Sequence, residues 1–363
     1  MQTRTHDHPK YQQVFDVLQN EILSGKYKSG QKLPSEAALV KQFGTSRITV
    51  GRAVRDLRQH GLVERRAGSG TYVRAATPRS QEGLIFGLLI PDRSDTEIFE
   101  PICEGLAGAP EAVEHALLWG STNAGVGSKE DQAWRLCQQY IARKVAGVFF
   151  APLELTPSKD EVNHKIAAAL DKARIPIVLL DRCILPYPQR GTHDLVGIDN
   201  RRAGYLATEH LIQLNRQRIV FFAQPNSAPT VEARAAGYRE VMHAYGRQPL
   251  VSADLPHLMK SKKESKKPDA FVCANDRTAG QLMHTLISAG HRIPAEIAIV
   301  GMDDVEYSTL LPVPLTTIHQ PCREIGEAAM SAMLDRIAHP DMLARDILLD
   351  CKLVVRDSST VAF

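Results

Sequence analysis

The chain has 363 residues, of which 44% are hydrophobic and 23% are charged, as in ordinary folded globular proteins. This length exceeds what one hydrophobic core usually holds, so two or more domains are expected. No apolar run reaches the roughly 20 residues of a membrane span, and the N-terminal MQTRTHDHPKYQQ lacks the apolar stretch of a secretory signal, so we expect a cytoplasmic protein without membrane contact.

The cysteines and histidines exclude the common metal and redox motifs. No two of the six cysteines lie closer than 29 residues, and the 13 histidines show no HExxH spacing. The sequence therefore predicts free thiols, no metal site and no cofactor.

Positive charge is concentrated at the N-terminal end of the chain. Residues 1–76 contain 13 basic and 6 acidic side chains, whereas the remaining 287 residues contain 31 basic and 35 acidic ones. This asymmetry indicates a module that binds a polyanion, attached to a nearly neutral body. A basic surface without a partner is the alternative that charge alone leaves open.

Three helices and a hairpin are predicted within this module. Residues 9–25 carry apolar side chains at helical spacing, and residues 33–44 form a short second helix that Ser35 caps and Gly44 ends. A third helix begins near Thr45 or Ser46. Its apolar stripe is Val50, Ala53, Val54 and Leu57, and its arginines lie off that stripe. The segments LVERR and TYV then read as two short strands joined by AGSG.

This order of elements is that of a winged helix-turn-helix. The third helix suits the major groove of DNA, where arginine pairs with guanine, and the hairpin forms a wing whose Arg65 and Arg66 meet phosphates. A structural three-helix domain with a charged solvent face is the alternative, but it leaves the basic hairpin unexplained.

The stretch PSEAALVKQFGTSRITV, followed by DLRQHGLVERRAGSGTYV, resembles the winged helix-turn-helix of GntR-family transcription regulators over residues 9–74. The resemblance implies contacts with double-stranded operator DNA. With the neighbouring charged residues, the candidate DNA-binding residues are Ser35, Glu36, Ser46, Arg47, Thr49, Arg52, Arg65, Arg66, Gly68, Ser69 and Gly70. Ala37 and Gly51 stand where this family often has arginine, so the operator sequence does not carry over from other members.

The body of the chain alternates short apolar runs with amphipathic stretches. Eight runs, from LIFGLLIPD to IAIVGMDD, are separated mostly by helical segments of 10–20 residues. Continuous apolar strands alternating with helices predict a buried parallel sheet with helices on both faces. Residues 77–82 have the composition of a linker between the module and this body.

Most of the apolar runs end on polar residues, among them Asp92, Asp181, Asp199, Asn275 and Asp303. Ligands of open parallel sheets bind beyond the carboxyl ends of the strands, so these residues indicate a polar pocket. Any single one of them also fits a strand that simply ends in a turn.

Several stretches after residue 175 are similar to the effector domain of LacI/GalR-family regulators, which is like periplasmic sugar-binding proteins. They include VGIDNRRAGYLATEHL, AFVCANDRTAG and IAIVGMDDVEYSTLLPVPLTTIHQP. The resemblance implies an α/β domain of two lobes over 83–363, with lobe 1 at about 83–195 and 319–347 and lobe 2 at about 196–318 and 348–363. It also implies that Arg234, Asn275 and Asp303 hold ligand hydroxyls. Asp181 is a further candidate, and Trp119 stacks on the ligand or lies in a core.

Together these features predict a ligand-responsive transcription regulator, built like arabinose-type repressors and acting as a homodimer with a sugar as its effector. A transport-type binding protein that uses the cleft alone is the alternative from another class. No nucleophile and base stand in a known catalytic pattern, so the sequence favours a protein that is not an enzyme.

Overall fold

The computed structural model describes residues 10–23, 26–28, 30–59, 62–66, 69–73, 83–90, 97–120, 127–260 and 267–360. The chain divides into two compact units, Met1–Glu82 and Gly83–Phe363. Gly25, Gly61, Gly68, Asp92 and the linker 77–82, which the sequence singled out, lie outside the described residues.

The first unit has the predicted order of three helices and a hairpin. Its elements are α1 (Lys10–Leu23), α2 (Glu36–Phe43), α3 (Arg47–Gln59), β1 (Val63–Arg66) and β2 (Gly70–Val73). Val50, Ala53 and Leu57 of α3 are fully buried against Leu18 of α1 and Leu39 of α2. The apolar stripe read from the sequence therefore does form the core of this unit. Val17 is one of the apolar residues at helical spacing in the first predicted helix, but it is 42% exposed and not part of this core.

The hairpin is fixed to the helices by a short extended segment. β1 and β2 pair in antiparallel register, with Val63 opposite Val73. The backbone of residues 30–33 bonds to β2 on its other side, where Leu33 N donates to Thr71 O at 2.8 Å and Val73 N donates to Gln31 O at 2.9 Å. The wing is thus a three-stranded arrangement with a fixed position relative to α3.

The second unit contains the eight predicted strands and four more. The predicted strands are β3 (Ile85–Leu89), β4 (Ala116–Trp119), β5 (Gly147–Phe150), β6 (Ile177–Leu180), β7 (Asp194–Ile198), β8 (Ile219–Phe222), β10 (Ala270–Cys273) and β11 (Ala298–Val300). The additional strands are β9 (Val251–Ser252), β12 (Thr317–His319), β13 (Asp346–Leu349) and β14 (Lys352–Val354). The helices are α4 (Phe99–Gly108), α5 (Lys129–Ala142), α6 (Lys159–Lys172), α7 (Asn200–Gln213), α8 (Pro229–Ala244), α9 (Leu255–Met259), α10 (Asp276–Ser288) and α11 (Cys322–Ala338).

Ten of these strands form two parallel sheets, one in each lobe, and β12 pairs with β14 in antiparallel register. The first lobe has the order β13-β7-β6-β5-β3-β4 and the second has the order β11-β10-β8-β9. Helices α4 and α11 cover one face of the first sheet and α5 and α6 cover the other; α7 and α8 cover one face of the second sheet and α10 the other. The predicted α/β architecture with helices on both faces is confirmed.

The chain passes between the lobes three times, after β7, after β12 and after β13. β7 pairs with β6 as far as Val196 and with β13 as far as Ile198, which lies opposite Leu349. The lobe bounds of about 195, 318 and 347 stay predictions. Within the described part of the chain, no helix is long and apolar enough to cross a membrane.

Candidate functional site

The third helix and the wing of the first unit present a cluster of arginines to solvent. Arg47, Arg55 and Arg58 of α3 and Arg65 of β1 line one shallow groove, which also contains Gly51 and Thr71. All four arginines are exposed. Arg66 belongs to β1, but its side chain lies outside the described residues. The groove therefore combines the positive charge of these arginines with one face of α3, which suits the phosphate backbone of DNA.

The start of α3 is fixed by hydroxyl groups. Ser46 Oγ accepts a hydrogen bond from Thr49 N at 3.2 Å and lies 2.9 Å from Thr49 Oγ1. Ser35 caps α2 in the same way by accepting from Ala38 N at 3.2 Å. These contacts satisfy N-terminal amides of both helices. The guanidinium of Arg47, at the start of α3, lies 3.6 Å from Glu36, at the start of α2, and both residues line the groove.

Two further candidates are held by neighbouring side chains. The guanidinium of Arg52 stacks 3.8 Å from the ring centre of Tyr11, and Ser69 Oγ lies 2.6 Å from the hydroxyl of Tyr72. Gly70 has a φ of +125°, and a Cβ there would lie 2.5 Å from Lys32 Cε. The turn of the wing therefore requires glycine at this position. The DNA-binding roles of all these residues stay predictions.

In the second unit, a polar cleft lies where the strand ends of the two lobes meet. Arg234 of α8 is 4% exposed; its Nε donates to Asn200 Oδ1 at 2.7 Å, and its Nη1 donates to Ala274 O at 2.6 Å. Its remaining amino group lies 3.6 Å from Asp303 Oδ1. Gln320, at the second crossover, donates to the same Asp303 oxygen at 2.6 Å. The structure thus brings together Arg234 and Asp303, two candidates from the sequence that are far apart along the chain.

The first lobe contributes an ion-pair cluster to this cleft. Arg182 is buried, forms a salt bridge with Glu154, and its Nε lies 3.1 Å from Asp181 Oδ2. Its guanidinium also lies 5.4 Å from the ring centre of Phe99. Glu154 reaches across to the second lobe, where its Oε2 accepts from Ala228 N at 3.2 Å. A neighbouring backbone bond, from Leu155 N to Asn226 O at 2.8 Å, also joins the lobes.

Two buried oxygens of the cleft have no hydrogen-bond partner among the residues that the structure describes. They are Asp181 Oδ1 and Gln320 Oε1. An acceptor left unbonded in a protein interior costs about 1–3 kcal/mol, so a ligand that donates hydrogen bonds is favoured there. Asp181 and Asp303 also have positive φ angles of 66° and 114°, which are unfavourable for residues other than glycine and typical of functional sites.

The cleft changes the acidity of Asp303. Burial raises the pKa of this carboxyl to about 7, against the opposing effect of Arg234, and the negative charges of Asp181 and Glu154 contribute to the rise. Burial also raises the pKa of Asp276, which accepts from Thr317 Oγ1 at 2.6 Å and from Val305 N at 3.1 Å. These acceptor-rich surroundings suit hydroxyl donors better than anions.

The other two candidates from the sequence lie at the margin. Asn275 caps α10 by accepting from Thr278 N at 2.8 Å and lines a small cavity of about 130 Å³ together with Glu154. Trp119 lies on β4, an edge strand of its sheet, and is 38% exposed. β4 lies three strands away from β6, the strand that leads to Asp181. The structure therefore does not place Trp119 in a core and does not bring it to the cluster around Arg234.

Sequence reasoning missed four residues of the cleft: Glu154, Arg182, Asn200 and Gln320. Arg182 and Asn200 directly follow the aspartates 181 and 199 that end two apolar runs. Counting the residue after each of these aspartates as a candidate would have included them. Gln320 stands in the quoted stretch that ends in HQP. Glu154 lies four residues beyond β5 and has no motif around it.

Among the described residues, no group of three or more His, Cys, Asp or Glu side chains is arranged to hold a metal ion.

Known proteins match both units of the chain. Residues 10–73 match the bacterial regulatory proteins of the gntR family, and residues 208–359 match the periplasmic binding protein-like domain. The arabinose metabolism transcriptional repressor of Geobacillus stearothermophilus is 28% identical over 97% of this chain and 98% of its own length. The ribose operon repressor of Escherichia coli is 29% identical over 51% of this chain and 58% of its own.

The fold of the second unit is also found among solved structures. A LacI family transcriptional regulator from Enterococcus faecium with bound ribose superposes with a TM-score of 0.61 at 23% identity, covering 77% of this chain and all of that one. A regulator named CelR, in complex with cellobiose, gives a TM-score of 0.62 at 21% identity and covers 97% of this chain and all of its own. The matched proteins are transcription regulators, not enzymes.

Proposed function

We propose that this chain, whose two units match the gntR family of regulatory proteins and the periplasmic binding protein-like domain, represses transcription until a small sugar occupies its cleft. The observation that carries the proposal is the pair of unpartnered, buried oxygens on Asp181 and Gln320, which lie beside Arg234 and Asp303 where two lobes meet. Hydroxyl groups of a sugar would donate to these oxygens and accept from the guanidinium groups.

The sugar is proposed to be a pentose. The relatives similar over 97% of this chain are named for arabinose metabolism, and further relatives are named for ribose. The two guanidinium groups that would face it, Arg182 and Arg234, are held in place by Glu154 and Asn200. Their fixed geometry would select the hydroxyl pattern of one pentose over another.

The first unit would bind operator DNA as one half of a homodimer. Two copies of α3 would then enter successive major grooves of an inverted repeat, with half-sites about one helical turn or a multiple of it apart. Sugar binding would change the pairing of the two copies. A difference of about 1–3 kcal/mol in sugar affinity between the two states would shift operator affinity by roughly 5–150-fold.

A thermal-shift screen of the full chain with pentoses, hexoses and nucleobases tests the effector side. The true effector, at about 100 times its dissociation constant, would stabilise the folded protein by about 2.7 kcal/mol. Arg234→Ala should abolish the shift, whereas Arg292→Ala, which removes an exposed arginine of the same lobe, should keep it. A shift that survives Arg234→Ala would refute the cleft as the effector site.

Selection of bound duplexes from a random pool, followed by a salt titration, tests the DNA side. Binding that rests on several phosphate contacts should weaken by orders of magnitude between 50 and 200 mM salt. If the full chain enriches no sequence, and if its affinity for duplex DNA does not change with salt concentration, the protein is not a DNA-binding regulator.

A further inference from the structure

The wing of the first unit has two sides, and only one of them borders α3. Arg65 and Thr71, which stand opposite each other in the hairpin, both line the groove beside α3. Glu64 and Tyr72 form the next pair, and because side chains alternate along a strand, they lie on the other side. Lys32 stands opposite Tyr72 on that same side, in the segment that borders β2. We call the side formed by Lys32, Glu64 and Tyr72 the outer wing face.

The side chain of Lys32 is directed toward the turn of the wing. The backbone next to it is fixed, because Leu33 N donates to Thr71 O at 2.8 Å. The side chain runs along the backbone of Gly70, where an added Cβ would lie 2.5 Å from Lys32 Cε and 3.3 Å from its Nζ. Nζ also lies 6.0 Å from the ring centre of Tyr72, within the range of a cation–π contact. The ammonium group is therefore held beside the turn, on the outer wing face.

Lys32 is exposed and forms no salt bridge with the acidic side chains that the structure describes. Lys26, by comparison, is paired with Glu21. Glu64 shares the outer wing face with Lys32, but the two stand on opposite sides of Tyr72 and are separated by the width of β2. The ammonium group is thus available to an anion from outside the chain. A phosphate group of DNA is the anion that the arginines of the neighbouring groove also suit.

The place of the outer wing face on a duplex follows from that of α3. With α3 in a major groove, the hairpin at its side lies over the row of phosphates that separates this groove from the adjacent minor groove. Arg65 and Thr71 then face that row from the side of α3. The minor groove is only about 6 Å wide, so the outer wing face is turned toward the row of phosphates on its far side.

We propose that Lys32 contacts a backbone phosphate across the minor groove from the phosphates that α3 and Arg65 reach. The wing then contacts both rows of phosphates that border this groove. Gly70 has a second role besides its φ, because any side chain there would displace the ammonium group of Lys32. The inference rests on the proposed function, since the contact belongs to the same interface with DNA. Phosphates are common to all sequences, so Lys32 adds affinity without a preference among operators.

Lys32→Met tests the contact, because it nearly keeps the length of the side chain and removes its charge. Fluorescence anisotropy gives the affinity of the full chain for its selected operator and for an unrelated duplex between 50 and 200 mM salt. Each phosphate contact contributes about 0.9 to the slope of log affinity against log salt concentration. The slope should therefore fall by about 0.9 with both duplexes, and both affinities should fall by roughly five- to tenfold at about 100 mM salt.

Lys28→Met is the matched control. Lys28 is an exposed lysine near the other end of the same segment, where Gly30 N donates to Val73 O at 2.9 Å, at the base of the hairpin. This variant loses the same charge and should keep the slope of the wild type. Lys32→Arg restores the charge at the turn and should recover most of the lost slope, which shows that the loss does not come from a misfolded wing.

A wild-type slope in Lys32→Met would overturn the proposal, as would an equal change of slope in Lys28→Met, which would be an effect of net charge. A loss of affinity confined to the selected operator would also overturn it, since Lys32 would then contact a base. If the wild type binds no duplex, the proposed function fails and the phosphate contact fails with it. Normal binding by the wild type with an unchanged slope in Lys32→Met contradicts the phosphate contact alone.

Discussion

Ile48 is 86% exposed on α3, although isoleucine is among the residues most often buried in folded proteins. It lies directly after Arg47 in the groove between α3 and the wing, and Gly51, one turn later, leaves open space beside it. An apolar side chain presented there suits the methyl group of thymine, which only the major groove displays. The exposure of Ile48 therefore indicates readout of a base, whereas the arginines around it supply charge.

Ile48→Ala should lower the affinity for the selected operator by about 1 kcal/mol, or roughly fivefold, and relax the preference for thymine at one position of each half-site. The melting temperature should not change, because the side chain is outside the core. Fluorescence anisotropy with single-base operator variants measures the effect. Val17→Ala, an exposed aliphatic residue on α1, is the control, and an equal loss with both variants would contradict a base contact by Ile48.

Asp303 illustrates a conflict between binding and stability at one residue. Its pKa of about 7 lies above the unfolded value near 4, so between these pH values the folded protein holds a proton that the unfolded chain has released. The stability that this proton contributes is present in acid and is lost as the pH rises from about 4 through 7. As the pH rises through neutrality, a buried charge therefore develops in the cleft, which Arg234, the hydrogen bond from Gln320 and a bound ligand offset.

Asp303→Asn should consequently raise the melting temperature at pH 8 by a few degrees, corresponding to about 1–2 kcal/mol, and by less at pH 5, where the wild type is already protonated. The same variant should lose most of its sugar affinity. Scanning calorimetry at both pH values gives the comparison, with Asp350→Asn at an exposed surface ion pair as control. A gain that is equal at pH 5 and pH 8 would show that Asp303 is ionised throughout this range.

At the scale of elements, a glycine allows two helices to pack in close contact in each lobe. Gly204 of α7 faces the backbone of α8, so that an added Cβ would lie 1.9 Å from Arg234 O. In the first lobe, a Cβ on Gly105 of α4 would lie 2.0 Å from Arg323 O of α11. Each glycine lets two helices approach until their backbones touch, but only the contact of Gly204 is with a residue of the cleft.

Gly204→Ala and Gly105→Ala should therefore destabilise the protein to a similar degree, by about 1–3 kcal/mol each, because both force a helix pair apart. Only Gly204→Ala should also weaken sugar binding, by about tenfold, since it displaces Arg234. Urea unfolding and calorimetric titration separate the two effects. Equal sugar affinity in both variants would mean that the position of Arg234 is not set by the α7–α8 contact.

The same scale shows what the sequence could and could not reveal. The eight predicted strands are continuous apolar runs because both faces of their sheets are covered by helices. β13 was missed because it is an edge strand whose residues alternate between exposed and partly buried, and β9 because it has only two residues. Likewise the cleft residues in strand-end motifs were predictable, whereas Glu154 acts through a contact with Ala228 that only the packing of the lobes creates.

For the molecule as a whole, the proposed regulation requires that the sugar distinguish two arrangements of the lobes. In this structure the lobes meet through Glu154, which pairs with Arg182 on its own lobe and accepts a hydrogen bond from Ala228 N on the other. Such a charged, partly buried bridge is favourable only when both of its partners are in place, so it stabilises the arrangement of the lobes that this structure shows. Sugar binding and the Glu154 bridge then act on the same equilibrium, and each strengthens the other.

Glu154→Gln keeps the size of the side chain but removes the charge that holds Arg182. We expect the sugar dissociation constant to rise about tenfold, since roughly 1.4 kcal/mol of closure free energy is lost. The change in operator affinity at saturating sugar should stay the same, because a saturated cleft is closed in either protein. Operator titrations over a range of sugar concentrations measure both quantities.

Glu104→Gln, at an exposed ion pair with Arg323, is the matched control and should behave as wild type. If Glu154→Gln instead lowers the saturating effect while the sugar affinity is unchanged, the bridge transmits the signal to the DNA-binding unit and does not set the closure equilibrium.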